Sequence, residues 1–358
     1  MANAPTRQHK RVTISDVARE ASVSIAAVSR ILNNSYDGFS AREETKQRVF
    51  SAVKRLGYRP SRAAVRLATG KHNAIGLSFP VKDTLEAPID THSLSQVFGH
   101  FELMLVQHGI IRALKAHNMD LVLMPRYTGR PTQDYIGQAQ ETVDGMVWIN
   151  PRDDAEELGP VVESGLKLAI VGPVPVSGEF ISIRTDETMA GRMAMGHLIV
   201  CRARHILVAV PESRKRDQAT VERIEGVSKA VKDFTDPDLS YEVVSFPAEP
   251  RKTRATFQRH VEKNGIPEGI LTLGGHLPIS ILAELQKMKA HVPRQVKIVG
   301  FEENLTFVIS NPQITGLRYP IEEMCHQAAT MLLEYVRSGT APRPVYVSPQ
   351  LIARASCQ

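Results

Sequence analysis

The residues with the most chemistry in their spacing lie between Val12 and Leu32, in the run VTISDVAREASVSIAAVSRIL. Val17, Ala18, Ala21, Val23, Val28, Ile31 and Leu32 recur three and four apart, which suits two short helices packed face to face. Thr13 or Ser15 can cap the first helix and Ser24 the second, because a Ser or Thr oxygen accepts hydrogen bonds from the orphan N–H groups there. Between them, Ala21-Ser22-Val23 has the length of the turn in a helix-turn-helix. In that motif the second helix enters the major groove of DNA and its N-terminal residues meet the base edges. The charge agrees. Residues 1–71 hold 14 Lys/Arg against 5 Asp/Glu, a balance of +9, while the rest holds 30 against 33, a balance of −3. A basic head on a mildly acidic body is what a phosphate-binding module joined to a neutral sensor shows. The plain alternative, a small helical subdomain without a ligand, does not require that segregation.

Other constellations fail on spacing. His92, His100, His108 and His117 recur through one region, but no pair has the i, i+4 spacing with a flanking Glu that a zinc helix needs. Gly172-Pro173 and Gly274-Gly275 match neither phosphate-cradling glycine pattern, and no GxSxG elbow exists. The three cysteines, Cys201, Cys325 and Cys357, are odd in number and far apart, with no CxxC. That argues against a disulfide framework and for a reducing cytoplasm. The N-terminal MANAPTRQHKR has no apolar core of a signal peptide, and no apolar run approaches membrane-spanning length. The expectation is a cytoplasmic protein that is not an enzyme and holds no metal or cofactor.

The elements around these residues follow from punctuation and period. The head spans residues 1–60. After the second helix comes the turn-rich Asn33-Asn34-Ser35-Tyr36-Asp37-Gly38, then a capping box Ser40-Ala41-Arg42-Glu43. It opens a third helix over Ala41–Leu56, with Val49, Val53 and Leu56 inward and Gly57 as its stop. Residues 61–71, within Pro60–Lys71, form a helix-prone linker too short to be stable alone. From 72 to 358 strands alternate with helices. The strands are expected at Ala74–Phe79, Asp120–Met124, Gly145–Ile149, Lys167–Val171, His205–Val210, Tyr241–Phe246, Gly269–Leu273 and Lys297–Phe301. Helices are expected at Leu103–His117, Gln133–Thr142, Thr188–Cys201, Gln218–Phe234, Thr253–Asn264 and Ile279–Lys289. Near-continuous apolar strands between helices mean α/β architecture with parallel sheet covered on both faces. There are too many such units for one sheet. The reading is two doubly wound lobes, with crossovers near 180–186 and 310–320 and a ligand cleft at the strand carboxyl ends.

The head resembles the DNA-binding signature of the lactose-repressor (LacI/GalR) family. The resemblance rests on Ile14-Ser15-Asp16-Val17-Ala18, Ala21, Val23-Ser24, Ala27-Val28, Ile31-Leu32 and Leu56-Gly57-Tyr58-Arg59-Pro60. The body is similar to the family's periplasmic-binding-protein-like effector core. Its matching fragments include Val143-Asp144-Gly145, Ile183–Asp186, Arg223-Ile224-Glu225-Gly226, Ile298-Val299-Gly300-Phe301-Glu302 and Pro320-Ile321-Glu322-Glu323-Met324. The resemblance implies that Ile25, Ala26 and Arg30 face bases while Thr13, Ser24, Ser29 and Asn33 hold phosphates. It makes 61–71 a hinge helix that contributes Arg62 and places Leu67 as a wedge in the minor groove. With Ala26 and Ala27 at positions where the family often carries polar residues, direct readout rests on Arg30 to guanine and apolar contact with thymine methyls.

In the cleft, Arg223 matches the family's effector-clamping arginine, whose fork suits vicinal hydroxyls or a carboxylate. Phe246 ends a strand where relatives stack an aromatic on the ligand. Asn150 and Asp186 end strands, as pocket or capping residues. Gly274-Gly275-His276 stands where the family usually has Asn-Asp, and Glu302 where it has Asp. Losing those acceptors opens space at Gly274 and Gly275, with His276 replacing part of the polarity. The segment Val81–His100 reads as a long loop able to reach over the cleft, and the effector as something other than a plain monosaccharide. The function expected is a homodimeric, sequence-specific regulator of transcription on double-stranded operator DNA. It is expected to repress carbohydrate-uptake or catabolic genes and to respond to a sugar or glycoside. A ligand-responsive activator, a co-repressor-dependent regulator, a transport-type sugar-binding protein and a carbohydrate-active enzyme are the alternatives.

Overall fold

The computed structural model describes residues 12–32, 41–58, 70–81, 94–127, 129–149, 155–174, 176–234, 236–247, 249–274 and 276–358. The chain forms two compact units, Met1–His72 and Asn73–Gln358.

In the first unit the described helices are α1 (Ile14–Ala21), α2 (Ile25–Leu32) and α3 (Glu43–Leu56). Thr13 is the residue that opens α1: its N–H and its hydroxyl donate to the Asp16 carboxylate at 2.9 and 2.7 Å. Ser22 takes a left-handed φ of 50° to end α1, and the Ser24 oxygen then accepts from Ala27 N–H at 3.1 Å to start α2. Helix α3 starts at Glu43, two residues later than expected. Arg42 stands at its N-cap, and Ser40 of the expected capping box lies outside the described residues. Gly57 stops it with a left-handed φ of 62°. Val17, Ala18, Ala21, Val28, Ile31, Val49, Ala52 and Tyr58 form its buried centre, and Arg55 pairs with Glu20 across α3 and α1.

The second unit contains β1 (Ala74–Val81), α4 (Leu94–Lys115), β2 (Asp120–Tyr127), α5 (Thr132–Thr142), β3 (Gly145–Ile149), α6 (Ala155–Glu163), β4 (Leu168–Val171) and β5 (Ile181–Thr185). It continues with α7 (Glu187–Val200), β6 (His205–Pro211), α8 (Gln218–Asp233), β7 (Ser240–Phe246), α9 (Pro250–Asn264), β8 (Gly269–Thr272), α10 (Leu277–Lys287), β9 (Lys297–Phe301), α11 (Leu305–Ile309) and β10 (Thr315–Arg318). Helix α12 (Ile321–Ser338), β11 (Val345–Val347) and β12 (Gln350–Ile352) complete it. One sheet runs β11-β5-β4-β3-β1-β2 with every pair parallel. The other runs β12-β10-β9-β8-β6-β7 and is parallel except for β10 with β12. Both are doubly wound, so each has a switch point where strand order reverses, between β1 and β3 and between β6 and β8. The chain crosses between the lobes from β5 to α7, from β10 to α12 and from β11 to β12.

The eight expected strands are present, with ends shifted by a few residues, whereas β5, β10, β11 and β12 come in addition. Helix α4 begins at Leu94 rather than Leu103, so the supposed long loop over Val81–His100 is shortened by the helical residues 94–100, while 82–93 lie outside the described residues. Helices α6, α11 and α12 carried no expectation; α6 contains Pro160, and α11 has only five residues.

Each lobe joins a helix pair at glycine. A Cβ on Gly109 of α4 would lie 2.1 Å from the carbonyl oxygen of Glu322 in α12. On Gly191 of α7 and Gly226 of α8 it would meet the carbonyl oxygens of Arg223 and Thr188, each at 2.0 Å. Such backbone approach leaves nothing flexible to move aside. Gly226→Ala is therefore expected to push α7 and α8 apart and destabilise by about 1–3 kcal/mol or more, read from the urea midpoint. Gly159→Ala, on α6 with open space around it, should by contrast leave stability unchanged or raise it by up to about 1 kcal/mol.

Candidate functional site

Two places gather candidate functional side chains. On α2, Val28 and Ile31 face inward, while Ile25 is 50 % exposed and Ala26 and Arg30 are also exposed. Ser29 is half-buried at the edge of that face. Residues 25, 26, 29 and 30 thus form one outward patch, the arrangement a groove-reading helix needs. Thr13 and Ser24 stand at the N-termini of α1 and α2, engaged in the caps described above. Asn33, Arg62 and Leu67 lie outside the described residues.

The second place is at the carboxyl ends of β6, β8 and β9. Arg223 of α8 is only 2 % exposed. Its Nε donates to Glu187 Oε2 at 2.7 Å, and its Nη1 to the Leu273 carbonyl at 3.2 Å and Glu302 Oε1 at 3.3 Å. The guanidinium carbon sits 4.7 Å from the Phe301 ring centre and 5.4 Å from that of Tyr319. Burial works against this charge, but Tyr319, Glu187 and Glu302 outweigh it and hold Arg223 more firmly protonated than usual. Glu187 also accepts from Thr185 Oγ1 at 2.6 Å and the Tyr319 hydroxyl at 2.8 Å. Burial raises the Tyr319 phenol, so it stays a donor.

Glu302 takes a left-handed φ of 60°, uncommon for a residue with a long side chain. Its carboxylate oxygens each accept from Arg214 Nη1 at 2.7 Å, which raises the Arg214 pKa. Glu102, on α4 in the other lobe, adds to that rise. Arg184, at the end of β5, donates to both Glu222 oxygens at 2.8 and 3.1 Å and so ties the first crossover to α8.

Set beside the expected effector set, Arg223 and Glu302 come together. Gly274 corrects one inference: a Cβ there would lie 2.8 Å from Glu302 Oε2 and 3.1 Å from Arg214 Nη1. The room released by the missing side chain is filled by this ion pair, not left open for a bulkier ligand. His276 Nε2 is 3.0 Å from Thr253 Oγ1, and burial lowers its pKa, keeping the ring neutral. Phe246 is fully buried among Leu207, Phe257 and Leu285, in the lobe core. Asp186 caps α7, accepting from Met189 N–H at 2.8 Å. Asn150 lies outside the described residues. Arg214, Glu187, Tyr319 and Glu102 were not anticipated. Arg214 sits in the polar run Glu212-Ser213-Arg214-Lys215-Arg216, whose only signal is its place after a buried strand.

The buried part of this network also holds the fold together. Arg223→Met is expected to leave Glu187, 5 % exposed, without its main partner and to cost about 3–5 kcal/mol in urea unfolding. Arg214→Ala, whose partner Glu302 keeps access to solvent, should shift the same midpoint by about 1 kcal/mol or less.

The comparisons with known proteins agree with this geometry. Residues 13–61 match the bacterial regulatory proteins of the lacI family, and residues 195–357 match the periplasmic binding protein-like domain. The HTH-type transcriptional regulator RegA of Clostridium saccharobutylicum is 27% identical over 354 residues, covering 96% of this chain and 98% of that protein. The lac repressor dimer bound to operator and the anti-inducer ONPF superposes with a TM-score of 0.73 at 16% identity, covering 97% of this chain and 99% of that one. The complex of the transcriptional regulator CelR with cellobiose gives a TM-score of 0.66 at 22% identity, covering 97% and 100%. The chain therefore joins a lacI-family DNA-binding head at residues 13–61 to a periplasmic binding protein-like domain at residues 195–357.

Proposed function

We propose that this regulator works in the cytoplasm as a homodimeric repressor that releases its operator when a sugar or glycoside enters the cleft between the lobes. The observation that carries the reading is the Arg214–Glu302–Arg223 network at the strand carboxyl ends, in the same chain as an outward α2 patch. A polyol suits the network: its hydroxyls can donate to Glu302 while accepting from Arg214. RegA, the operator-bound lac repressor and the cellobiose complex of CelR support the class of partner. Among the described residues no helix is long and apolar enough to cross a membrane.

Two heads would take one half-site each of a pseudo-palindromic operator. Residues 61–71 would act as the hinge, with Arg62 on phosphate and Leu67 as the minor-groove wedge. Thr13, Ser24, Ser29 and Asn33 would fix the head on the backbone, and Ile25, Ala26 and Arg30 would read bases. The effector acts only through its different affinity for the DNA-competent and incompetent states. Closure of the cleft on Arg214, Arg223 and Glu302, with Asn150, Asp186 and His276 as further expected contacts, would be the step that changes hinge spacing.

Duplexes selected from a random pool, followed by fluorescence anisotropy, test the DNA half. Arg30→Ala should lose about 1–3 kcal/mol of discrimination at one base pair, and Leu67→Ala should weaken specific binding more than non-specific binding. If both bind the selected duplex like wild type, the docking is wrong. A panel of mono-, di- and oligosaccharides tests the other half. One class should release the operator from wild type and fail to do so from Arg214→Ala, which should still bind operator normally. Release by no sugar, or release unaffected in Arg214→Ala, would count against the cleft assignment.

A further inference from the structure

Helix α7 ends at Cys201, whose Sγ lies 3.7 Å from Nε2 of His197, one turn back. The same sulfur lies 2.7 Å from the backbone carbonyl oxygen of Cys357, in the short helical turn Ala355–Cys357. One donor atom from each of His197, Cys201 and Cys357 falls within 4.8 Å of the other two. The turn is held from another direction. Ser356 Oγ donates to the Ile298 carbonyl at 2.6 Å and accepts from Thr315 N–H at 2.8 Å. Cys357, at 1 % exposure, is packed in the core cluster of α7, α8 and the second sheet, while His197 and Cys201 keep partial access to solvent. All three cysteines of the chain are free thiols.

We propose that His197, Cys201 and Cys357 form a binding site for one zinc ion. Donor type fits, and so does the spacing of His197 and Cys201. With bonds of about 2.0–2.1 Å to nitrogen and about 2.3 Å to sulfur, tetrahedral or trigonal coordination separates the N and S donors by roughly 3.6–3.8 Å; the separation here is 3.7 Å. The charge balances too. Two thiols lose their protons to solvent as the ion binds, and two thiolates with a neutral imidazole make an electrically neutral site, which a half-buried apolar setting favours. No electrons move. The side left open toward solvent is filled by water or an added ligand. The linear sequence hides this site because Cys357 lies 156 residues beyond Cys201. The site is independent of the effector reading, since it occupies the opposite end of α7 from Glu187.

The full-length chain, stripped with a chelator and kept reduced with a phosphine, tests it by titration with Zn2+ against a chromophoric competitor. One equivalent should bind, and Co2+ in its place should give a thiolate-to-metal charge-transfer absorption. Both signals should vanish in Cys201→Ser and in Cys357→Ser. His197→Gln, a partly exposed change that keeps both thiols, should weaken affinity at least tenfold while leaving the circular dichroism unchanged. Zinc should raise the Tm of wild type by several degrees and not that of His197→Gln. Absence of a stoichiometric equivalent, a charge-transfer band surviving in Cys201→Ser, or equal affinity in His197→Gln would overturn the proposal.

Discussion

A permanently charged guanidinium buried in a protein lobe has to be surrounded on every side, and Arg223 shows how this fold does it. Its edge is taken by Glu187, the Leu273 carbonyl and Glu302, and aromatic rings flank its faces at Phe301 and Tyr319. These partners come from the start of α7, the loop after β8, the end of β9 and the crossover after β10. The charge can be satisfied only when all four are in place. That requirement ties the second sheet to two of the three inter-lobe crossings, because Glu187 follows β5 directly and Tyr319 precedes α12. One electrostatic constraint therefore locates both the lobe and its hinge strands.

The remaining contacts divide the labour. Close glycine crossings let α4 lie on α12 and α7 on α8, placing the helix that carries Arg223 against the helix that carries Glu187. The outer end of the network is softer. Glu302 and Arg214 are partly open to solvent, and Glu302 holds an unfavourable backbone angle that the Arg214 pair sustains. A rigid, buried inner ion pair thus sits next to a strained, accessible outer one. The first lobe repeats part of the pattern, with Arg126 4.2 Å above the Trp148 ring and bonded to Ser78 at 2.7 Å near its own strand ends.

Much of this was legible from the sequence, for local reasons. The caps at Thr13 and Ser24, the stop at Gly57 and the buried stripe through Val17, Val28 and Val49 depend on near neighbours in the chain. The eight long strands declared themselves as apolar runs. Short strands such as β11 and β12 did not, because three residues carry no period and are held in place by tertiary pairing. Helix α6 was hidden by Pro160, and the start of α4 by Gly99 and the Pro- and Asp-containing run that precedes Leu94 in the sequence. At the site, Arg223 and Glu302 were marked by the resemblance to the lactose-repressor family's core. Arg214 did not, since one arginine in a charged turn looks solvated until the residue opposite it is known. The space assigned to Gly274 was misjudged for the same reason: a missing side chain opens room only if no distant side chain fills it, and here Glu302 does.

If the cleft and the operator-binding head are two ends of one equilibrium, their ligands must oppose each other reciprocally. The most direct measurement is calorimetric titration of the releasing sugar into free protein and into protein saturated with operator, set against operator affinity with and without that sugar. Operator should weaken sugar binding by the same factor as sugar weakens operator binding. Equal sugar affinity in the free and operator-bound states would contradict it.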